Sequence, residues 1–153
     1  VINYASYKMD LIKVMERDEG EENKDSLGTV YYAISLFILV IITFGVLKNP
    51  LVGLCGIAVM GYGDGLAAVI GQAIKSPEYV IGKNKKTLAG SATMFFVTLI
   101  IIAGFLTFNQ ADYVAIKSIL IALLMTVIEA VSIKGTDNIS VPLLTSLFAF
   151  LMI

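Results

Sequence analysis

The run PLVGLCGIAVMGYGDGLAAVIGQAI, residues 50–74, decides how this chain folds. It is long enough to cross a bilayer core, which takes about 20 apolar residues, and it holds one charged residue, Asp64. An aspartate at that depth costs roughly 2.5–3.5 kcal/mol on insertion scales, so it persists where it does something that offsets the cost. Around it stand Gly61, Gly63 and Gly65. Glycines let the backbone bend and let another group approach closely. The structural alternative is a packing site, since Gly61 and Gly65 make a small-xxx-small pair of the kind found where membrane helices touch. That accounts for the glycines and not for the carboxylate. Gly71 lies two turns further on the same face, so a smooth surface from Asp64 to Gly71 leaves room for a phosphate or an ion.

Composition agrees with a membrane setting. Of 153 residues 58% are hydrophobic and 15% charged, against about 25% charged in soluble domains. The net charge of −1 and a single arginine, Arg17, give no basis for a nucleic-acid partner. The chain has no histidine and one cysteine, Cys55, in an apolar run. Histidine-based triads, histidine-ligated zinc and disulfide frameworks are thereby excluded. Chemistry has to come from carboxylates, lysines, hydroxyls and backbone groups.

Outward from the 50–74 run, the pattern predicts an all-α, polytopic transmembrane bundle with at least five membrane helices. Residues 1–26 read as a cytoplasmic or interfacial segment, with Ser26 a cap for the next helix. Residues 27–153 read as the membrane domain. Its segments are 27–47, 50–74, 87–108, 113–133 and one from about Ile139, carrying Pro142 and running to Ile153. Neither end resembles a natural terminus, and the expectation is a fragment of a longer chain. Lys75 to Lys86 reads as a basic loop broken by Pro77. Lysine counting puts Lys8, Lys13, Lys24, Lys75, Lys83, Lys85, Lys86 and Lys134 on one side, and Lys48 with Lys117 on the other. The lysine-rich side is expected to be cytoplasmic.

Three groups converge on that side. Lys83, Lys85 and Lys86 precede Thr87, which can cap a helix whose free N–H groups face an anion. Lysines in such a loop also serve simply as a positive-inside anchor. Glu129 lies about a turn from the end of the fourth segment, where a snorkelling carboxylate is the plain alternative. Asp137 and Asn138 follow in a turn before Pro142. Carboxylates suited to a metal and lysines suited to phosphate thus share one face, a combination that fits a nucleoside triphosphate with Mg²⁺.

These blocks also carry a resemblance. Gly63-Asp64-Gly65-Leu66-Ala67 with Gly71, then Lys86-Thr87-Leu88-Ala89-Gly90-Ser91, then Glu129-Ala130 and Asp137-Asn138-Ile139-Ser140-Val141-Pro142-Leu143 are similar to motifs of the phytol, dolichol and CTP-dependent diacylglycerol kinase family. That group is related in turn to phosphatidate cytidylyltransferases. The likeness covers about Asp25 to the C-terminus, and Ala89 with the Ile-Ser-Val-Pro-Leu form looks most like phytol and prenol kinases. Many relatives carry an acid where Ala68 stands and arginines where Gln72 and Ala73 stand.

The resemblance implies a membrane enzyme moving phosphate from a nucleotide, usually CTP, to a lipid alcohol such as phytol. Asp64 and Glu129 would hold Mg²⁺, with Glu129 alternatively a base. Lys85 and Lys86 would neutralise phosphate, and Thr87, Gly90 and Ser91 would shape the helix end that holds it, beside Gly63, Gly65 and Gly71. Asp137 and Asn138 would position the nucleotide or take the hydroxyl proton. The expected setting is the inner cell membrane, with the site facing the cytoplasm, the alcohol arriving from surrounding lipid, and a homo-oligomer compatible with all of this. Diacylglycerol kinase and cytidylyltransferase chemistry remain open beside it. More distant alternatives are a small ion-coupled transporter and a non-catalytic scaffold.

Overall fold

A computed structural model describes residues 25–81, 84–132 and 135–153. The readings placed on residues 1–24, Gly82, Lys83 and Lys134, and on the side chain of Ser26, lie outside the described residues. Helix α1 covers Asp25–Val40 and continues as a π-helical segment, Ile41–Val46. The next span is composite: α2, Pro50–Ala58, a π-helical segment, Val59–Asp64, and α3, Gly65–Ala73. Pro50 opens it at a position where its missing N–H costs nothing. Strands β1, Glu78–Ile81, and β2, Asn84–Thr87, follow, then α4, Leu88–Phe108, α5, Val114–Val131, and α6, Asp137–Leu151.

Four of these helical stretches, Gly28–Val46, Pro50–Ala73, Leu88–Phe108 and Val114–Val131, are long and apolar enough to cross a membrane. The fifth, α6, is apolar but shorter at 15 residues. It begins at Asp137 rather than near Ile139, so Asp137 and Asn138 belong to its first turn. Side-chain distribution agrees with a lipid environment. Phe37, Phe96 and Ile100 point outward at 67%, 59% and 71% exposure, an apolar surface that water would not tolerate over such an area. The interior is filled by Val59, Met94, Ile102, Met125 and Val141, all fully buried.

The basic loop expected at residues 75–86 is instead an antiparallel hairpin, with Glu78 opposite Thr87 and Val80 opposite Lys85. It is pinned over the start of α4. The Leu88 N–H donates to the Pro77 carbonyl at 2.9 Å, the Ala89 N–H to Ser76 Oγ at 3.1 Å, and the Tyr79 hydroxyl bonds Ser91 Oγ.

Glycines set how closely the helices approach. A Cβ on Gly71 would lie 2.6 Å from Thr87 Oγ1, and one on Gly90 would lie 3.1 Å from the Ala67 carbonyl oxygen, so α3 and α4 meet nearly backbone to backbone. A Cβ on Gly56 would collide with the Pro142 carbonyl and Ser146 of α6. Backbone cannot step aside as a side-chain tip can. Gly56→Ala is therefore expected to destabilise the bundle by about 1–3 kcal/mol, the usual cost of overpacking. Thermal unfolding in detergent micelles measures this, and an unchanged melting temperature would refute the contact.

Candidate active site

Four elements supply the site. Asp64 ends the π-helical segment of the composite span. Glu129 lies in the last turn of α5, Asp137 opens α6, and Lys86 comes from β2. A π-helical turn carries more residues than an α-turn and is often found at functional positions. Here it sets the direction of the Asp64 side chain.

One oxygen from each of Asp64, Glu129 and Asp137 lies within 4.8 Å of the other two. Three carboxylates this close repel unless cations share the space. Lys86 supplies one charge. Its ammonium pairs with Glu129, which is 4% exposed. Burial pulls the Lys86 pKa down, but the hydrogen bond and charge of Glu129, with Asp137 and Asp64 adding to them, prevail and hold it above the ordinary lysine value. Lys86 is therefore charged at neutral pH.

A basin of about 250 Å³ opens beside the cluster. Its walls include Asp64, Gly71, Lys85, Lys86, Thr87, Gly90, Ser91 and Glu129. Ala67, Ala68 and Gln72, which were not candidates on sequence, complete it. Lys85 forms a 2.6 Å ion pair with Glu78 across the hairpin, both side chains at least half exposed. A solvated pair of this kind contributes at most about 1 kcal/mol and leaves the lysine free to turn toward an anion.

Other candidates fall differently. Thr87 caps α4, its Oγ1 accepting from the Gly90 N–H at 3.1 Å. The expected row of free N–H groups is not there, because Leu88, Ala89 and Gly90 donate to Pro77, Ser76 and Thr87. Anion attraction at this end rests on the helix dipole and the lysines. Gly63 faces away from the basin, for a Cβ there would lie 2.7 Å from Met94 Sδ. Gly65 and Asn138 line a second cavity on the other side of Asp64. The packing role considered for Gly61 and Gly65 is not observed among the described residues either, since a Cβ at each would meet nothing within 4 Å there.

The donor set suits a hard divalent cation. Mg²⁺ prefers carboxylate oxygen, usually one or two carboxylates with phosphate and water completing the shell. Asp64, Glu129 and Asp137 offer that chemistry without nitrogen or sulfur ligands.

Comparison with known proteins gives the chain a family. It is 34% identical over 152 residues to a probable chloroplastic phytol kinase of Triticum aestivum, covering 93% of this chain and 49% of that one. It is 32% identical over 151 residues to a phytol kinase of Synechocystis sp., covering 97% and 63%. A probable chloroplastic phytol kinase of Zea mays is 32% identical over 152 residues, covering 93% and 48%. The chain spans about half the length of most curated relatives it matches. No family model and no solved structure matches it. The alignments take in 93–97% of this chain, and relatives named phytol kinase at 32–34% identity support its assignment to the phytol and polyprenol kinase family.

Proposed function

We propose that this chain forms the catalytic membrane core of a kinase that moves the terminal phosphate of a nucleoside triphosphate, CTP in the first instance, to a long-chain lipid alcohol such as phytol. The observation that carries the proposal is the meeting of three carboxylates from three separate helical stretches with a charged lysine at the edge of one basin. The acids gather at one end of the bundle rather than being spaced along it, which fits group transfer at the membrane surface better than a transport path.

In this reading the triphosphate lies in the basin between α3 and the hairpin. Lys86 and Lys85 neutralise its charge, and the positive end of α4 adds to theirs. Asp64 and Glu129 would hold Mg²⁺, which would supply positive charge against the triphosphate. The alcohol oxygen bonds to the terminal phosphorus as the bond to the leaving diphosphate breaks. The hydroxyl proton passes to Asp137. Phosphoryl transfer needs positioning and charge neutralisation more than covalent help, and this residue set supplies both. The site would face the cytoplasm of a cell membrane, with the lysine-rich ends inside.

The test is a donor-by-acceptor screen with the full-length protein in vesicles. CTP and ATP are each offered with phytol, geranylgeraniol, dolichol and diacylglycerol. The expected products are a prenyl monophosphate and CDP. A CDP-lipid with pyrophosphate, or transfer to diacylglycerol alone, would replace the proposal with one of its relatives.

A further inference from the structure

We propose that the alcohol reaches the site from the opposite side to the nucleotide, along the seam between α1 and the 50–73 span, with its hydroxyl in the second cavity beside Asp64. The proposal rests on the lipid-kinase reading and adds where the acceptor lies.

The second cavity, about 290 Å³, is lined by Thr29, Tyr32, Gly61, Asp64, Gly65 and Asn138, among others. Asp64 is the residue it shares with the lysine-bearing basin. Among the described residues, no lysine or arginine lines it. A phosphate there would sit against a carboxylate with no counter-charge. A neutral hydroxyl would instead find a carboxylate acceptor and an amide, hydrogen-bonding groups that suit it. Among the described residues no neighbouring helix presses on Gly61 or Gly65, since a Cβ at either meets nothing within 4 Å. Their missing side chains make the floor of the cavity.

The volume suits only the head of a long alcohol, because small-molecule pockets begin at about 300 Å³. A place for the tail lies further along the same seam. A third cavity, about 240 Å³, is lined there by Leu39, Val40, Phe44, Leu51, Leu54 and Ile57, together with a few smaller residues. From Tyr32 to Phe44 the seam runs about 18 Å at 1.5 Å per residue, about the depth of one leaflet of a 30 Å hydrocarbon core. Polar head space followed by apolar tail space over one leaflet is the outline of a single-chain amphiphile. Both helices bordering the seam are π-helical alongside it, at Ile41–Val46 and Val59–Asp64. The other apolar cavity, between Leu51–Ala58 and Ile101–Phe108, lies toward the far end of α4 and has no polar head space of its own.

Seated this way, the hydroxyl meets Asp64 from the α1 side while the phosphate chain meets it from the α4 side. Asp64 is then the group that borders both substrates, the acceptor hydroxyl in one cavity and the phosphate in the other.

The experiment uses full-length protein in vesicles, with Gly61→Leu as the variant and a geranylgeraniol analogue bearing a diazirine at its tail end as the probe. A Cβ at Gly61 meets nothing within 4 Å among the described residues and Gly61 does not line the lysine-bearing basin, so CTP KM should stay within about twofold while KM for geranylgeraniol rises about tenfold or more. Photolabel should fall on Leu39–Phe44 or Leu51–Ile57 in the wild type and be lost in the variant. Unchanged alcohol KM, or label on Ile101–Phe108, would overturn the seam and leave the kinase reading intact. Labelled seam residues in a protein that transfers no phosphate from any nucleotide would overturn the kinase reading and leave the seam as a prenol site.

Discussion

On the proposed function, Asp64→Asn is expected to lower phosphoryl transfer from CTP to a prenol by about 10²–10³-fold, the scale seen when one preorganised electrostatic group is removed from a reaction centre. The same variant is expected to be no less stable than the parent. Three carboxylates crowd within 4.8 Å and Lys86 pairs with Glu129, so removing the charge of Asp64 relieves repulsion without breaking that pair. Divalent cation gives a second readout. On the proposed reading Mg²⁺ binds only the folded cluster, so at about a hundred times its dissociation constant it should stabilise the parent by about 2.7 kcal/mol. In Asp64→Asn that upward shift of the melting temperature should shrink or vanish. Parent-like turnover in the variant would end the role assigned to Asp64. Lost stability without added cation would mean that the residue is structural.

Lys86→Met has the opposite profile. It leaves Glu129, 4% exposed, as a buried carboxylate without its cation. Breaking a fully buried pair costs about 3–5 kcal/mol. The Lys86 side chain keeps 23% exposure, and solvent screening brings the expectation down to about 2–3 kcal/mol. The double variant Lys86→Met with Glu129→Gln should recover most of this loss, since neither charge is then stranded. Equilibrium unfolding of the four proteins in a double-mutant cycle measures the coupling. A coupling near zero would mean that the pair is not formed in the folded protein. Transfer activity should stay low in all three variants, separating what holds the site together from what it does.

Much of this arrangement was legible in the sequence, and the reasons differ from part to part. The spans were legible because each is a long apolar run closed by polar residues. Predicted and observed boundaries differ by a few residues, as at 113–133 against Val114–Val131. Thr87 was legible as a cap because it sits directly before an apolar run, where its hydroxyl has a backbone donor to serve. The hairpin was not. Its strands are four residues each and rich in lysine, and what makes them strands is contact with other parts of the chain, such as Tyr79 on Ser91. Asp137 was read as a base or nucleotide-positioning group, and its place as the third member of the acid cluster depends on α6 packing beside α5. The glycines were half legible. Spacing pointed to Gly61 and Gly65 as contact points, whereas close contacts fall on Gly56, Gly63, Gly71 and Gly90. Helical-wheel reasoning assumes a constant 3.6 residues per turn, and the π-helical segment at Val59–Asp64 breaks that assumption where it matters.

That same segment carries a consequence for descent. In an ordinary helix each residue added or dropped swings all that follows by about 100°. The bearing of the Asp64 carboxylate is thus an inherited offset held within a single wide turn. A related chain lacking one residue there would keep its hydropathy, its length across the bilayer and most of its identity, and would lose only its aim.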